Sequence, residues 1–249
     1  MGLPQVTDDG PVRTITLDRP GQANALLLAD IDTIAAAVRD AGERTRVIVL
    51  TGTGERAFGA GMHLDVFTGA APGDGRAIIT RLADCLATVR RSPVPTIARL
   101  NGACVGAAFE LALACDLRVA HEGVRVGLPE VKLGIPSVVD AALLPHYLGA
   151  ARAHELILTG DLYPVTALPG LVNRLVPAGP GAPAGLDAAV PDLAARVGAP
   201  TREVVAAQKG LFETWRNHPL DDAVALSVDV FAEVFALPAT RDAIGRYRS

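Results

Sequence analysis

Two carboxylates set in apolar surroundings and two glycine-rich turns are the parts of this chain best suited to chemistry. Glu110 ends the run Asn101-Gly102-Ala103-Cys104-Val105-Gly106-Ala107-Ala108-Phe109-Glu110 and is the only charged residue between Asn101 and Asp116. A lone carboxylate on an apolar helix is costly unless it is used or paired. Two readings stand: an acid or base in a reaction, or half of a buried ion pair with Arg99 or Arg118. Glu130 follows Pro129 in the apolar run Val126-Gly127-Leu128-Pro129-Glu130-Val131, where the proline sets the entry angle of the next segment. Two carboxylates in dry surroundings raise each other's pKa, so one can hold a proton while the other acts as base. Spacing alone does not establish that these two meet.

The run from Asn101 to Glu110 reads as a strand end, a small-residue turn and a helix start. Free N–H groups and the positive end of the dipole at such a start favour a negative oxygen. The other turn, Ala57-Phe58-Gly59-Ala60-Gly61-Met62-His63-Leu64-Asp65, reads as an exposed loop whose small residues let a ligand approach the backbone amides. A plain tight turn would have the same composition.

Other candidates are weaker. Gly52-Thr53-Gly54-Glu55-Arg56-Ala57 fits the loose dinucleotide pattern GxGxxA, but Gly59 and Gly61 follow where a helix should run on. His63 reads as a polar rim residue of a cleft, and His121, His146, His154 and His218 are scattered without two at ligand spacing on one helix face, so no metal site is expected. Asp140 reads as a solvated carboxylate at a helix N-terminus. Cys85, Cys104 and Cys115 lie in apolar runs and read as packing residues in a reducing compartment.

The elements that must position these groups alternate. Val12–Leu17, Val47–Leu50 and Pro95–Leu100 read as strands, with helical spacing over Leu26–Val38 and Arg76–Val89 between them. That is the pattern of an α/β sheet. An almost wholly apolar helix over Ala107–Cys115, buried on all sides, leads to a strand at Leu117–His121. Leu171–Val176 reads as a last strand and Pro177–Gly185 as a linker. From Leu186 onward only helical patterns remain, with stops at Pro200, Pro219 and Pro238. Residues 1–180 are therefore expected to form an α/β core and 186–249 a helical region.

Composition narrows the classes of function. With 249 residues, 50% apolar and 20% charged, the chain can bury a large core. Its 23 basic and 27 acidic residues give a net charge of -4 without a run of either sign, which argues against a nucleic-acid partner. The first ten residues do not read as a signal peptide, Val6 breaks the myristoylation pattern, and no apolar run approaches the roughly 18 residues of a membrane span. A cytoplasmic protein without a membrane partner is expected.

Taken in order, the segments resemble the crotonase superfamily, the enoyl-CoA hydratase/isomerase family, from about Val12 to Val176. The resemblance rests on Arg19-Pro20-x-x-x-Asn24-Ala25-Leu26, the loop Phe58-x-Ala60-Gly61, the glycine-rich turn ending in Glu110, and Pro129-Glu130. It implies a crotonase-like spiral of repeated ββα units with a C-terminal helical region. It further implies an oxyanion hole made by the N–H groups of Met62 and Ala107, with Glu110 and Glu130 as the catalytic pair. The implied reaction is reversible addition of water to the 2,3 double bond of an acyl-CoA thioester, Glu110 activating water and Glu130 delivering a proton to C2.

No metal or redox cofactor is implied, coenzyme A being a handle on the substrate that rests on Gln22, Ala23, Ala25, Ala60, Gly61, His63, Leu64 and Gly106. Met62, His63 and Ala107 depart from the commoner family residues. So does Pro136-Ser137-Val138-Val139-Asp140, which stands where the family has Pro-Gly-x-Gly-Gly-Thr, one residue nearer the glutamate. That segment keeps a double-bond isomerase or a thioester hydrolase open as alternatives, and a non-catalytic acyl-CoA binding protein is the alternative of another class. The end at Arg246-Tyr247-Arg248-Ser249 is expected to be shorter than in relatives whose last residues help bind adenine. The resemblance also implies a homotrimer or hexamer, for which Leu211, Phe212, Trp215, Phe231 and Phe235 could supply a surface.

Overall fold

A computed structural model describes residues 2–246; Tyr247, Arg248 and Ser249 lie outside the described residues. The strands are β1 (Gln5–Asp9), β2 (Val12–Leu17), β3 (Val47–Gly52), β4 (Ala57–Gly59), β5 (Thr96–Leu100), β6 (Ala103–Val105), β7 (Leu117–His121), β8 (Arg125–Gly127), β9 (Tyr163–Pro164) and β10 (Arg174–Val176). The helices are α1 (Leu28–Arg39), α2 (Asp65–Thr68), α3 (Gly75–Arg90), α4 (Ala107–Ala114), α5 (Leu144–Leu148), α6 (Ala150–Thr159), α7 (Ala182–Gly198), α8 (Arg202–Asn217), α9 (Leu220–Phe235) and α10 (Pro238–Arg246).

Two sheets share the strands. The larger runs β1-β2-β3-β5-β7-β10 and the smaller β4-β6-β8-β9. From β3 to β8, successive strands drop alternately into the large and the small sheet, with α3 following β4 and α4 following β6. This is the expected spiral of ββα turns. The pairs β3/β5, β5/β7, β4/β6 and β6/β8 are all parallel, so each turn enters the sheets in the same direction.

The β-branched run Val47-Ile48-Val49-Leu50 is buried on both faces, as a central parallel strand should be. Ile48 and Leu50 point into the main core with Phe58, Leu86 and Phe109. Val47 and Val49 point the other way, against Leu186, Val190, Leu193 and Ala194 of α7. Helix α7 thus covers the outer face of the large sheet. Its first turn lies inside the proline- and glycine-rich stretch read as a linker, because Pro183 sits in the first turn, where its missing N–H leaves no bond unmade. The last strand is shorter than the pattern suggests, starting at Arg174 after Asn173 has bonded to Arg118 O.

Every residue of α4 is buried, as its apolar sequence requires. Arg118, a suspected partner for Glu110, instead donates to the carbonyls of Ala112, Cys115 and Leu171. Arg99 pairs with Asp187. Cys85, Cys104 and Cys115 are free and buried. Among the described residues, no single helix is long and apolar enough to cross a membrane.

Candidate active site

The segments singled out by their chemistry leave the C-terminal ends of three adjacent parallel strands. Gly59 of β4 lies opposite Cys104 of β6, and Val105 of β6 lies opposite Gly127 of β8. The residues next in the chain, Ala60–Met62, Gly106–Ala107 and Leu128–Glu130, therefore emerge side by side. Ligands commonly bind at this end of parallel strands. The dinucleotide pattern at Gly52 is excluded by the same geometry, because β3 leads into β4 rather than into a helix.

Two glycines allow the loops to meet. Gly61 has φ +90° and Gly106 has φ +57°, left-handed values that a side chain would strain. A β-carbon on Gly61 would lie 3.1 Å from Val105 O and 3.3 Å from Ala107 N. The loop is held from its other side by Leu26, which donates to Gly61 O at 2.8 Å and accepts from His63 N at 2.8 Å. In that parallel bridge the N–H of Met62 faces away from Leu26. Gly106 N donates to Gly127 O, and the next amide, Ala107 N, opens helix α4, where no intrahelical acceptor is available. Two amides from neighbouring loops are thus left to serve one cleft.

The segment Arg19–Leu26 braces this arrangement. Buried Arg19 pairs with buried Asp30 at 2.5 Å and donates to Ala25 O. The Asn24 amide donates to Thr53 O and Ala57 O and accepts from Arg19 N. Asn101 reaches Gly54 O and Ala57 O from the opposite side. These asparagines fasten the loop that carries Met62.

Glu110 is 4% exposed, and its carboxylate receives one hydrogen bond, from Ala141 N at 3.3 Å. Burial, reinforced by the neighbouring Glu130, pushes its carboxyl up to about 8. Holding the proton at pH 7 costs about 3 kcal/mol relative to an ordinary glutamate, less than the several kcal/mol of burying the charge unpaired. Burial thus favours the protonated form of Glu110, and with Arg118 and Arg99 bonded elsewhere the ion-pair reading is set aside. Glu130 is half-buried, with Oε2 accepting from Ser137 Oγ at 2.8 Å. A β-carbon on Gly106 would lie 2.9 Å from Glu130 Oε1, so the second oxygen is turned toward the start of α4.

Asp140 corrects an expectation. It is buried, not solvated, and Arg90 of α3 holds it at 2.5 Å. Burial raises its carboxyl above the usual range, against the pull of Arg90. The preceding Val139 has φ +42°, a strained value for a β-branched residue. The pair with Arg90 and the bond from Ala141 N to Glu110 hold the turn in that shape.

One cleft of about 90 Å³ is lined by Ala60, Gly61, Met62, Leu64, Gly106, Ala107, Glu110 and Glu130. Gln22, Ala23, Ala25 and His63 do not line it. His63 turns Nδ1 toward Asp65 N at 3.2 Å. The rest of the wall is apolar: Phe67, Ile79, Leu82, Leu133, Ile135 and Val138. Ile79 and Leu82 carry no signal of their own in the sequence, since the spacing that places them on the cleft face of α3 is also that of ordinary core residues.

The family model described as enoyl-CoA hydratase/isomerase matches residues 8–247. The chain belongs to the enoyl-CoA hydratase/isomerase family. It is 28% identical over 242 residues to the short-chain-enoyl-CoA hydratase of Clostridium acetobutylicum, covering 95% of this chain and 90% of that protein. YngF of Bacillus subtilis, whose name carries the same hydratase/isomerase description, is 38% identical over 150 residues. That match covers 59% of this chain and 57% of YngF. Among solved structures, an enoyl-CoA hydratase from Bacillus anthracis superposes with a TM-score of 0.91 at 27% identity, covering 99% of this chain and 96% of that one. This is the crotonase fold, and family membership makes a CoA thioester the substrate class.

Proposed function

We propose that the protein is an enoyl-CoA hydratase that interconverts a 2,3-enoyl thioester and its 3-hydroxyacyl counterpart. The observation that carries the reading is that one cleft is lined by the buried Glu110, by Glu130 bonded to Ser137, and by Met62 and Ala107, whose amides open onto it. In the dehydration direction Glu130 takes the C2 proton. The electron pair moves onto the thioester oxygen, where the N–H groups of Met62 and Ala107 stabilise the enolate. The C3 hydroxyl then leaves with the proton of Glu110.

Hydration runs through the same states in reverse, from the distribution in which Glu130 holds the single proton and Glu110 accepts one from water. The acyl chain would follow the apolar wall of Phe67, Ile79 and Leu82, with no metal or redox group required of the protein. Incubation with a 2,3-enoyl-CoA followed by mass analysis tests this. Hydration adds one water, isomerisation leaves the mass unchanged, and hydrolysis releases free coenzyme A.

A second reading, double-bond isomerase, is favoured by the burial of Glu110 without a cation, because Glu130 alone could carry a proton between C2 and C4. For assembly we propose a homotrimer or a hexamer of two trimers. Its support is the outer face of the C-terminal helices, where Leu220 is 77%, Phe231 68% and Trp215 50% exposed. Phe231 and Phe235 stack on that face with ring centres 5.7 Å apart.

A further inference from the structure

We propose that Ser137 is a positioning residue that holds Glu130 by one oxygen so that the other faces the reacting carbon. The inference rests on the reading of Glu130 as the group that moves the C2 proton. Its basis is the different surroundings of the two carboxylate oxygens. Oε2 accepts from Ser137 Oγ at 2.8 Å, while Oε1 lies 2.9 Å from where a β-carbon on Gly106 would sit, beside the start of α4. A carboxylate free to rotate would present either oxygen; the serine hydroxyl removes that freedom.

The serine is itself fixed. Pro136 precedes it, Val139 adopts its left-handed conformation two residues later, and the Arg90 to Asp140 pair anchors the end of the turn. Ala141 N, four residues beyond Ser137, donates to Glu110. A single short segment therefore contributes one donor to each glutamate. A glycine at position 137 would have no hydroxyl to donate.

In the step concerned, Glu130 Oε1 accepts the C2 proton, the C–H electron pair passes to the thioester oxygen as an enolate, and Glu130 returns a proton to C2. Because the protonated Glu130 exchanges with solvent between the two transfers, deuterated water replaces the C2 hydrogen that faces Glu130 in a saturated acyl-CoA without any addition of water. The test compares wild type, Ser137→Ala and Ser137→Thr for C2 exchange of butyryl-CoA by mass, for kcat and KM with crotonyl-CoA, and for melting temperature.

With Ser137→Ala, exchange and kcat should fall about tenfold, with KM changed by less than about twofold and melting moved by less than about 2 °C. Ser137→Thr, which keeps the hydroxyl, should return both rates to within about threefold of wild type. Unchanged rates in Ser137→Ala overturn the proposal. So do losses in both variants that track a lower melting temperature. If wild type exchanges butyryl-CoA but hydrates no enoyl thioester, the hydratase reading fails while exchange still decides the role of Ser137. If wild type hydrates crotonyl-CoA but does not exchange butyryl-CoA, the hydratase reading stands and kcat alone decides the role of Ser137; absence of both activities overturns both.

Discussion

The backbones of Gly61 and Gly106 lie in contact: a β-carbon on Gly61 would sit 3.4 Å from Gly106 Cα, and one on Gly106 would sit 3.4 Å from Gly61 Cα. This approach brings the amides of Met62 and Ala107 to one cleft, and it explains why two loops from different turns of the spiral both need glycine at that point.

Replacing Gly106 by alanine should therefore damage the site more than the fold. The added carbon would meet Glu130 Oε1 at 2.9 Å, and alanine is strained at φ +57°. We expect kcat to fall on the order of a hundredfold and stability by about 1–3 kcal/mol. Steady-state kinetics beside urea denaturation checks both, and an unimpaired kcat would contradict this role for the hole.

Glu110 should make stability depend on pH. Between its ordinary value of 4.5 and its folded value of about 8, the folded chain holds a proton that the unfolded chain has released. Its contribution is fully present below 4.5 and is lost as pH rises through about 8. Glu110→Gln stays neutral throughout, so it should melt higher than wild type above pH 7 and alike near pH 5. The difference should reach a few kcal/mol, or roughly 5 °C or more, by pH 9. Melting curves across that range decide the matter.

Removing Arg90 should leave Asp140 buried without its closest cation. Arg90→Ala is expected to cost about 3 kcal/mol, and Arg90→Met combined with Asp140→Leu should recover most of that loss. Equal stabilities for the single and double variants would contradict the assignment. Activity should fall as well, since Ala141, which holds Glu110, is the next residue.

The exposed face of α9 should govern assembly. Phe231→Asp places a charge in the middle of that face and should convert trimers to monomers in sedimentation velocity. A wild-type chain that sediments as a monomer would overturn the proposed assembly.

How much of the molecule is legible in its residues depends on the range of the interactions involved. Val47–Leu50 is a run of three β-branched residues and a leucine, and its strand character is local. Glu110 stands out because it interrupts an apolar helix by itself. The three-residue strands β4, β6 and β8 are too short to show a period, although they set the site, so the meeting of the 60–62, 106–107 and 128–130 segments is readable only through family order. Asp140 looks solvated in sequence because its partner Arg90 lies 50 residues earlier on α3. Ser137 meets Glu130 only because the 3₁₀ turn Pro129–Leu133 and Gly134 bring the chain back over seven residues.

The most direct measurement of the central claim is the loss of ultraviolet absorbance of crotonyl-CoA on mixing with wild type, Glu110→Gln and Glu130→Gln. The conjugated thioester should bleach with wild type as water adds across the double bond, and the rate should fall by at least about a hundredfold in each variant. Bleaching that continues undiminished in either variant, or a wild-type protein that leaves enoyl thioesters of every chain length unreacted, would contradict the assignment of hydration to these two carboxylates.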